Sequence, residues 1–179
     1  MTNPNPIHML THEHHLILKV VNALEVLGQG LASGEVMDVP LFRNIIIFMR
    51  EFADRCHHAK EEDLLFPAMV ELGVPESGCP IGGLKSEHVQ GRNLVNLLEK
   101  GVNLYDTEPD RAREIATEAI KGIVKLYPNH IWKEDEMVFP MAEKLFNEGQ
   151  LSHLKESFER VEEEQGSDHD LYSKFALTL

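Results

Sequence analysis

Two copies of one motif carry the residues of this chain that are best suited to chemistry. The segments HHAKEEDLLFP and HIWKEDEMVFP, which begin at positions 57 and 130, each place a histidine four residues before a glutamate. The pairs are His57 with Glu61 and His130 with Glu134. On a helix, a spacing of four brings two side chains onto one face about one turn apart. Each pair is therefore predicted to grip a metal ion through one imidazole and one carboxylate.

Four amphipathic helices are predicted to position these pairs. Apolar residues recur at steps of three and four in four segments, and loops rich in glycine and proline separate the segments. The second and fourth segments contain the motifs, while the first and third each carry one histidine, His14 or His88, on the apolar face. Beyond the motifs, the predicted buried stripes continue through Leu64 and Ala68 in the second helix and through Met137, Met141 and Leu145 in the fourth.

The histidine spacing reveals an internal repeat. His57 follows His14 by 43 positions, and His130 follows His88 by 42. Each half is a helix with Glu-His, a loop and a helix with HxxxE, and two such hairpins pack most simply as an antiparallel up-down-up-down four-helix bundle. The predicted fold is all-α, a single domain over residues 1–179 with the bundle at 8–148. A short C-terminal helical extension, 150–179, is predicted to lie against the bundle.

The repeat aims four imidazoles and two carboxylates at one point of the core. An ionised carboxylate in an apolar core costs several kcal/mol unless it is paired, and the predicted stripes contain no Lys or Arg. A lone core histidine is more often a hydrogen-bonded core residue than a ligand, but six such residues related by a repeat favour a metal site. The predicted ligands are His14, His57, Glu61, His88, His130 and Glu134.

The donor types indicate which metal the site would hold. Nitrogen and carboxylate donors without a thiolate suit iron or manganese better than structural zinc. If Glu61 and Glu134 bridge two ions, each ion receives two imidazoles and two carboxylate oxygens. A bridging oxide or hydroxide would add a fifth ligand and leave one octahedral position open. The predicted cofactor is two iron ions bridged in this way, with manganese or zinc as substitutes.

The sequence resembles the hemerythrin-like (HHE cation-binding) family. The resemblance covers about residues 8–148 and is carried by the two Glu-His pairs, the two HxxxE segments and GCPIGGLKSEHVQGR. It implies a non-heme di-iron four-helix bundle with the same six residues as ligands. Oxygen-carrying hemerythrins place a fifth histidine four positions after the third-helix ligand, where this chain has Arg92. This departure argues against reversible oxygen carriage and favours a redox, sensing or nitric-oxide role.

Two residues near the motifs are predicted to lie outside the centre. His58 follows His57 and is rotated from it by about 100° on an α-helix, so it is predicted to be a helix-flank residue. Trp132 is predicted to pack against the C-terminal extension.

Four carboxylates lie directly beside the predicted ligands in the sequence. Glu13 and Glu87 each precede a ligand histidine, and they either accept a hydrogen bond from a neighbouring ligand ring or lie on the surface. Glu62 and Asp135 each follow a ligand glutamate and are predicted to be solvated.

Charge and composition limit the classes of partner and the compartment. The net charge of −13 predicts repulsion from nucleic acid and from anionic membranes. The longest apolar stretch is far shorter than the roughly 20 residues of a membrane helix, and the N-terminus has no signal-peptide pattern. Cys56 and Cys79 form no CxxC, which predicts free thiols in the cytoplasm, although a disulfide between the two stays open.

These features together predict a di-iron protein that binds a small diatomic molecule or peroxide. Its role would be the binding, sensing or scavenging of oxygen or nitric oxide. The alternatives are a di-iron redox enzyme acting on peroxide or nitric oxide and an iron-storage or iron-sensing protein. No catalytic residue outside the ligands is predicted, and the electron-transfer partner is left open.

Overall fold

Six helices and no strand make up the part of the chain that a computed structural model describes, residues 5–179 without the side chains of Gln165 and Ser167. Helix α1 is Pro6–Ala32 and helix α3 is Ile81–Leu104. Two further helices, α5 (Glu148–Gln165) and α6 (Ser167–Thr178), form the C-terminal extension. Residues 1–4 of the predicted domain lie outside the described residues.

Helices α2 and α4 each change from α-helix to π-helix and back. Helix α2 is α-helical over Val39–Phe48, π-helical over Met49–His58 and Lys60–Leu65, and α-helical again over Phe66–Glu71. Helix α4 is α-helical over Pro109–Lys133, π-helical over Glu134–Val138 and α-helical over Phe139–Leu145. Both HxxxE motifs therefore involve a π-helical segment, a local widening that is frequent at functional sites.

The Phe-Pro at the end of each motif explains where the π-helix ends. Pro67 and Pro140 are the second residues of the restarted α-helical segments. A proline has no N–H to donate, and its ring clashes with the carbonyl group four residues earlier. The preceding turn widens at both places, and the helix continues.

The wide turns shift the buried register of both helices by one residue. The predicted stripe residues Met137 and Met141 are 52% and 36% exposed, whereas Val138 and Ala142 are buried. In α2, Leu65 and Met69 are fully buried in place of Leu64 and Ala68, which lie partly exposed. The stripes predicted beyond the motifs were wrong because a π turn takes more residues than the 3.6 of an α turn.

The all-α four-helix bundle is confirmed. Each of α1 to α4 packs against its neighbours in the order α1, α2, α3, α4, and α4 also packs against α1. Two separate apolar clusters form the core. One contains Val20, Phe52 and Ile123, the other contains Leu10, Phe66 and Phe139, and the predicted metal ligands fall between them along every helix.

The C-terminal extension covers one side of the bundle. Helices α5 and α6 both pack against α1, and Phe158 and Ala176 are fully buried there. Trp132 is 60% exposed, so its predicted packing against the extension was wrong. Cys56 and Cys79 are free, the first buried and the second exposed. Among the described residues, no helix is both long and apolar enough to cross a membrane.

Candidate metal centre

The structure brings the six predicted ligands together inside the bundle. All six are at least 97% buried, although they come from four helices. Their donor atoms form two adjacent groups, and within each group the atoms lie within 4.8 Å of one another. The first group is His14, His57, Glu61 and Glu134, and the second is His58, Glu61, His88 and His130.

Glu61 and Glu134 span the two groups. Glu61 places Oε1 3.6 Å from His57 Nε2 and Oε2 3.4 Å from His88 Nε2. Glu134 places Oε2 3.2 Å from His14 Nε2 and Oε1 3.2 Å from His130 Nε2. Each carboxylate thus directs one oxygen to each group, which is the arrangement that a bridging ligand needs.

The polar atoms at the centre lack the partners that burial requires. Both oxygens of Glu61, both oxygens of Glu134 and Nε2 of His14 are buried without a hydrogen-bond partner. Buried polar atoms are nearly always hydrogen-bonded, and an unpaired buried charge costs several kcal/mol. Four unpartnered carboxylate oxygens beside imidazole nitrogens fit divalent cations, which would supply the missing positive charge.

The protonation pattern without a cation leads to the same conclusion. Burial, followed by the charge of Glu134, raises the pKa of Glu61 well above its ordinary value. Burial also acts to raise the pKa of Glu134, but His130, His14 and His88 outweigh it and hold that pKa well below its ordinary value. Burial acts to lower the pKa of His14, but Asp135 and Glu134 outweigh it and raise the pKa to about 10. Protons thus take the place of positive charge, and a binding metal ion would release them.

A carboxylate faces the Nδ1 atom of every imidazole in the two groups. A hydrogen bond donated from Nδ1–H leaves Nε2 as the free lone pair, so the carboxylates select the tautomer that binds a metal through Nε2. The pairs are His14 with Asp135 at 2.8 Å, His57 with Glu13 at 2.9 Å, His58 with Asp54 at 3.1 Å, His88 with Glu62 at 2.6 Å and His130 with Glu87 at 3.0 Å.

The comparison with known proteins identifies the family. The sequence model of the hemerythrin HHE cation binding domain matches residues 5–142, about three quarters of the chain. The chain belongs to the hemerythrin HHE family. This confirms the resemblance noted from the motifs and establishes cation binding as the property of the domain.

The relatives that match this hemerythrin domain are described as uncharacterized proteins. The chain is 20% identical over 153 residues to Uncharacterized protein Rv1995 of Mycobacterium tuberculosis and to Uncharacterized protein Mb2018 of Mycobacterium bovis. Each match covers 86% of this chain but only 59% of the relative. No solved structure matches the chain significantly.

His58 is the residue of this hemerythrin centre that the sequence prediction missed. It was expected at the helix flank, but it is 2% exposed and its ring stacks on that of His88 at 3.8 Å. His58 lies in the π-helical part of α2, where three successive residues, Cys56, His57 and His58, are buried. The signal in the sequence was the doublet His57-His58, which has no counterpart in HIWKEDE.

The carboxylates that face the imidazoles resolve the remaining expectations. Glu13 and Glu87 accept hydrogen bonds from the rings of His57 and His130, so they are not simply surface charges. Glu62 and Asp135 contact His88 and His14, so their prediction as solvated residues was wrong. The repeat carries these contacts across the bundle, because each one links a residue beside one predicted ligand to a ligand on another helix.

Arg92 takes the position of the fifth histidine of oxygen-carrying hemerythrins and contacts the centre indirectly. Its guanidinium donates to Asp54 and to Glu62, each at 2.8 Å. These two carboxylates face His58 and His88, so Arg92 fixes the partners of both stacked rings. A cavity of about 300 Å³ lies beside Arg92 and His58. The fifth imidazole is thus present, but α2 supplies it instead of α3.

Proposed function

We propose that this hemerythrin domain holds a non-heme di-iron centre that binds a small diatomic molecule or peroxide. The observation that carries the proposal is the placement of Glu61 and Glu134, each with one unpartnered oxygen toward each imidazole group. Five imidazole nitrogens and two carboxylates, with no thiolate in either group, suit iron. Manganese or zinc would bind the same donors as substitutes.

The two ion positions are unequal. The first is supplied with two imidazoles, from His14 and His57, and the second with three, from His58, His88 and His130. With both carboxylates shared, the protein supplies four donors to the first position and five to the second. An octahedral ion held by the four donors of the first position would therefore keep an open site for a small ligand.

The surroundings of the first position favour a small ligand. The ring of Phe139 stacks on His14 with 5.3 Å between ring centroids, and neither side chain is more than 2% exposed. When bound, an iron pair would supply the redox chemistry for binding oxygen, nitric oxide or peroxide. The protein holds the imidazoles in one tautomer, balances the charge through the outer carboxylates and excludes bulk water.

Metal analysis of iron-loaded protein tests the proposal. We expect about two iron ions per chain in the unaltered protein. In the variant His58→Gln, we expect the second position to bind iron more weakly by at least roughly 10–100-fold. Loss of an outer partner of a ligand already costs that much affinity. His15→Gln is the matched control, because His15 neighbours His14 as His58 neighbours His57 but is exposed. Tight binding of two ions by the His58 variant would contradict the assigned donor set.

Spectroscopy of the reduced protein separates a binding role from an enzyme. We expect oxygen, nitric oxide or peroxide to change the visible spectrum stoichiometrically and to give a stable adduct. Rapid, continuous consumption of peroxide or nitric oxide would instead identify a redox enzyme. A single tightly bound zinc ion per chain, with no response to these ligands, would contradict the di-iron proposal.

A further inference from the structure

A fully buried lysine lies close to the first ion position. Lys60 is 0% exposed, and its Nζ lies 2.5 Å from Glu13 Oε1 and 2.6 Å from Glu162 Oε1. Lys60 lies next to the predicted stripe of α2, which contains no Lys or Arg, and the sequence analysis did not identify it as buried. A buried ammonium is stable only when it is paired, and here two carboxylates from different helices pair it.

This ion pair continues to a predicted ligand. Glu13 holds Lys60 with one carboxylate oxygen and accepts a hydrogen bond from His57 Nδ1 with the other, at 2.9 Å. Glu13 is itself only 3% exposed, so solvent does not screen these contacts. The charge around Lys60 therefore acts directly on the carboxylate that holds the His57 ring.

The C-terminal extension completes the cluster. Glu162 belongs to α5, and His169 of α6 has its Nε2 3.7 Å from Glu13 Oε1. Both residues lie beyond residue 142, where the match to the hemerythrin family ends. Glu13, Cys56 and His169 could form a third metal group by distance, but the ammonium of Lys60 already binds the carboxylate of that group.

The second half of the repeat shows what the extension adds. Glu87 contacts His130 and Lys133 in the same way as Glu13 contacts His57 and Lys60. There, however, the side chain of Lys133 is 42% exposed and that of Glu87 is 23% exposed. The same pair is thus partly exposed in one half and buried under α5 in the other.

We propose that Lys60 and Glu162 are positioning residues that set the metal affinity of His57, so that helix α5 controls the first of the two ion positions. Glu13 strengthens His57 as a donor by accepting its Nδ1–H. Lys60 draws charge away from Glu13, and Glu162 balances Lys60. This inference rests on the proposed two-ion centre, because it concerns the ion that keeps an open site there.

Opposite effects of the two charges provide the test. The metal-free full-length chain is titrated with Co²⁺, and the affinities of the two ions are followed by the visible spectrum. We expect Glu162→Gln to lower the affinity for one of the two Co²⁺ ions by up to about tenfold, because the positive charge of Lys60 then has one carboxylate fewer to balance it. Lys60→Gln should strengthen the same ion by a similar factor. Glu163→Gln, which removes a neighbouring but exposed charge, should change neither affinity.

A merely structural role would weaken binding in both Lys60→Gln and Glu162→Gln, and that result would overturn the inference. So would unchanged affinities in both variants, or an equal effect of Glu163→Gln. If Lys60→Gln does not fold, the comparison of Glu162→Gln with Glu163→Gln decides. Uptake of fewer than two Co²⁺ ions by the unaltered chain would contradict the two-ion centre itself and, with it, this inference.

Discussion

Each imidazole of the metal centre is held between an outer carboxylate and the inner pair of glutamates. Burial lowers the pKa of His57 to about 4, although Glu13 acts to raise it, and burial lowers the pKa of His58 well below its ordinary value. Both rings are therefore neutral near pH 7, which is the form that coordinates a metal. The fold keeps these donors ready at the cost of stability in acid.

The pH dependence of stability tests whether the buried ring of His57 is neutral near pH 7. In metal-free protein, the unfolded chain takes up a proton at His57 near pH 6.5, whereas the folded chain does so only near pH 4. The contribution of His57 to stability is therefore lost as the pH falls from 6.5 to 4. In urea unfolding, we expect the free energy of unfolding of the unaltered protein to fall by about 1–3 kcal/mol relative to His57→Gln over this window. A difference that stays constant with pH would contradict the buried, neutral state of His57.

The π-helical segments and the close crossing of α3 and α4 set the geometry among the helices. The wide turns of α2 and α4 advance the buried register by one residue past each motif, so Leu65 and Val138 continue the core. Close packing of α3 on α4 depends on Gly101. A Cβ at Gly101 would lie 2.9 Å from the backbone nitrogen of Ala116 and 3.0 Å from the backbone oxygen of Ala112.

Substitution of Gly101 tests the helix crossing. Because backbone atoms of α4 cannot move as a flexible side chain does, we expect Gly101→Ala to lower the free energy of unfolding by about 1–3 kcal/mol. Gly83→Ala is the matched control in the same helix, since its Cβ would meet only Cys79 Sγ at 3.9 Å. That variant should gain about 0.5–1 kcal/mol from helix propensity. Equal stability of the two variants in urea unfolding would contradict the close packing of α3 on α4 at Gly101.

The whole bundle is built around a polar layer in which the oxygens of Glu61 and Glu134 are buried without hydrogen-bond partners. The two apolar clusters lie on either side of the two buried carboxylates, which repel each other in the metal-free protein. A metal ion that binds the folded chain but not the unfolded chain would therefore stabilise the entire bundle by mass action. Metal removal weakens it as a whole.

Removal of one bridging carboxylate separates stability from metal binding. We expect Co²⁺ at about 100 times its dissociation constant to raise the free energy of unfolding of the unaltered protein by about 2.7 kcal/mol. Without metal, Glu61→Gln should be more stable than the unaltered protein by about 1–3 kcal/mol, since it removes a buried, unpartnered acid. Addition of Co²⁺ should no longer raise the free energy of unfolding of the Glu61→Gln variant. Glu71→Gln, an exposed charge on the same helix, should behave as the unaltered protein does.

Much of the fold and part of the centre could be predicted from local patterns. Apolar spacing predicted the four bundle helices, and the doubled HxxxE with its two Glu-His pairs predicted six residues that the structure brings together. These signals are legible in the sequence because a helix repeats its face every three to four residues. The same rule failed beyond the motifs, where the π turns change the repeat.

The sequence by itself determined the all-α bundle, the family and a core layer of histidines and glutamates, because each depends on spacing within one helix or on the repeat. Only the tertiary structure decided that His58 joins the centre, that Glu62 and Asp135 hold ligand rings, and that Lys60 is buried beneath Glu162. These contacts join residues on different helices. They depend on how the helices rotate and cross, and the periodicity of any one helix does not contain that information.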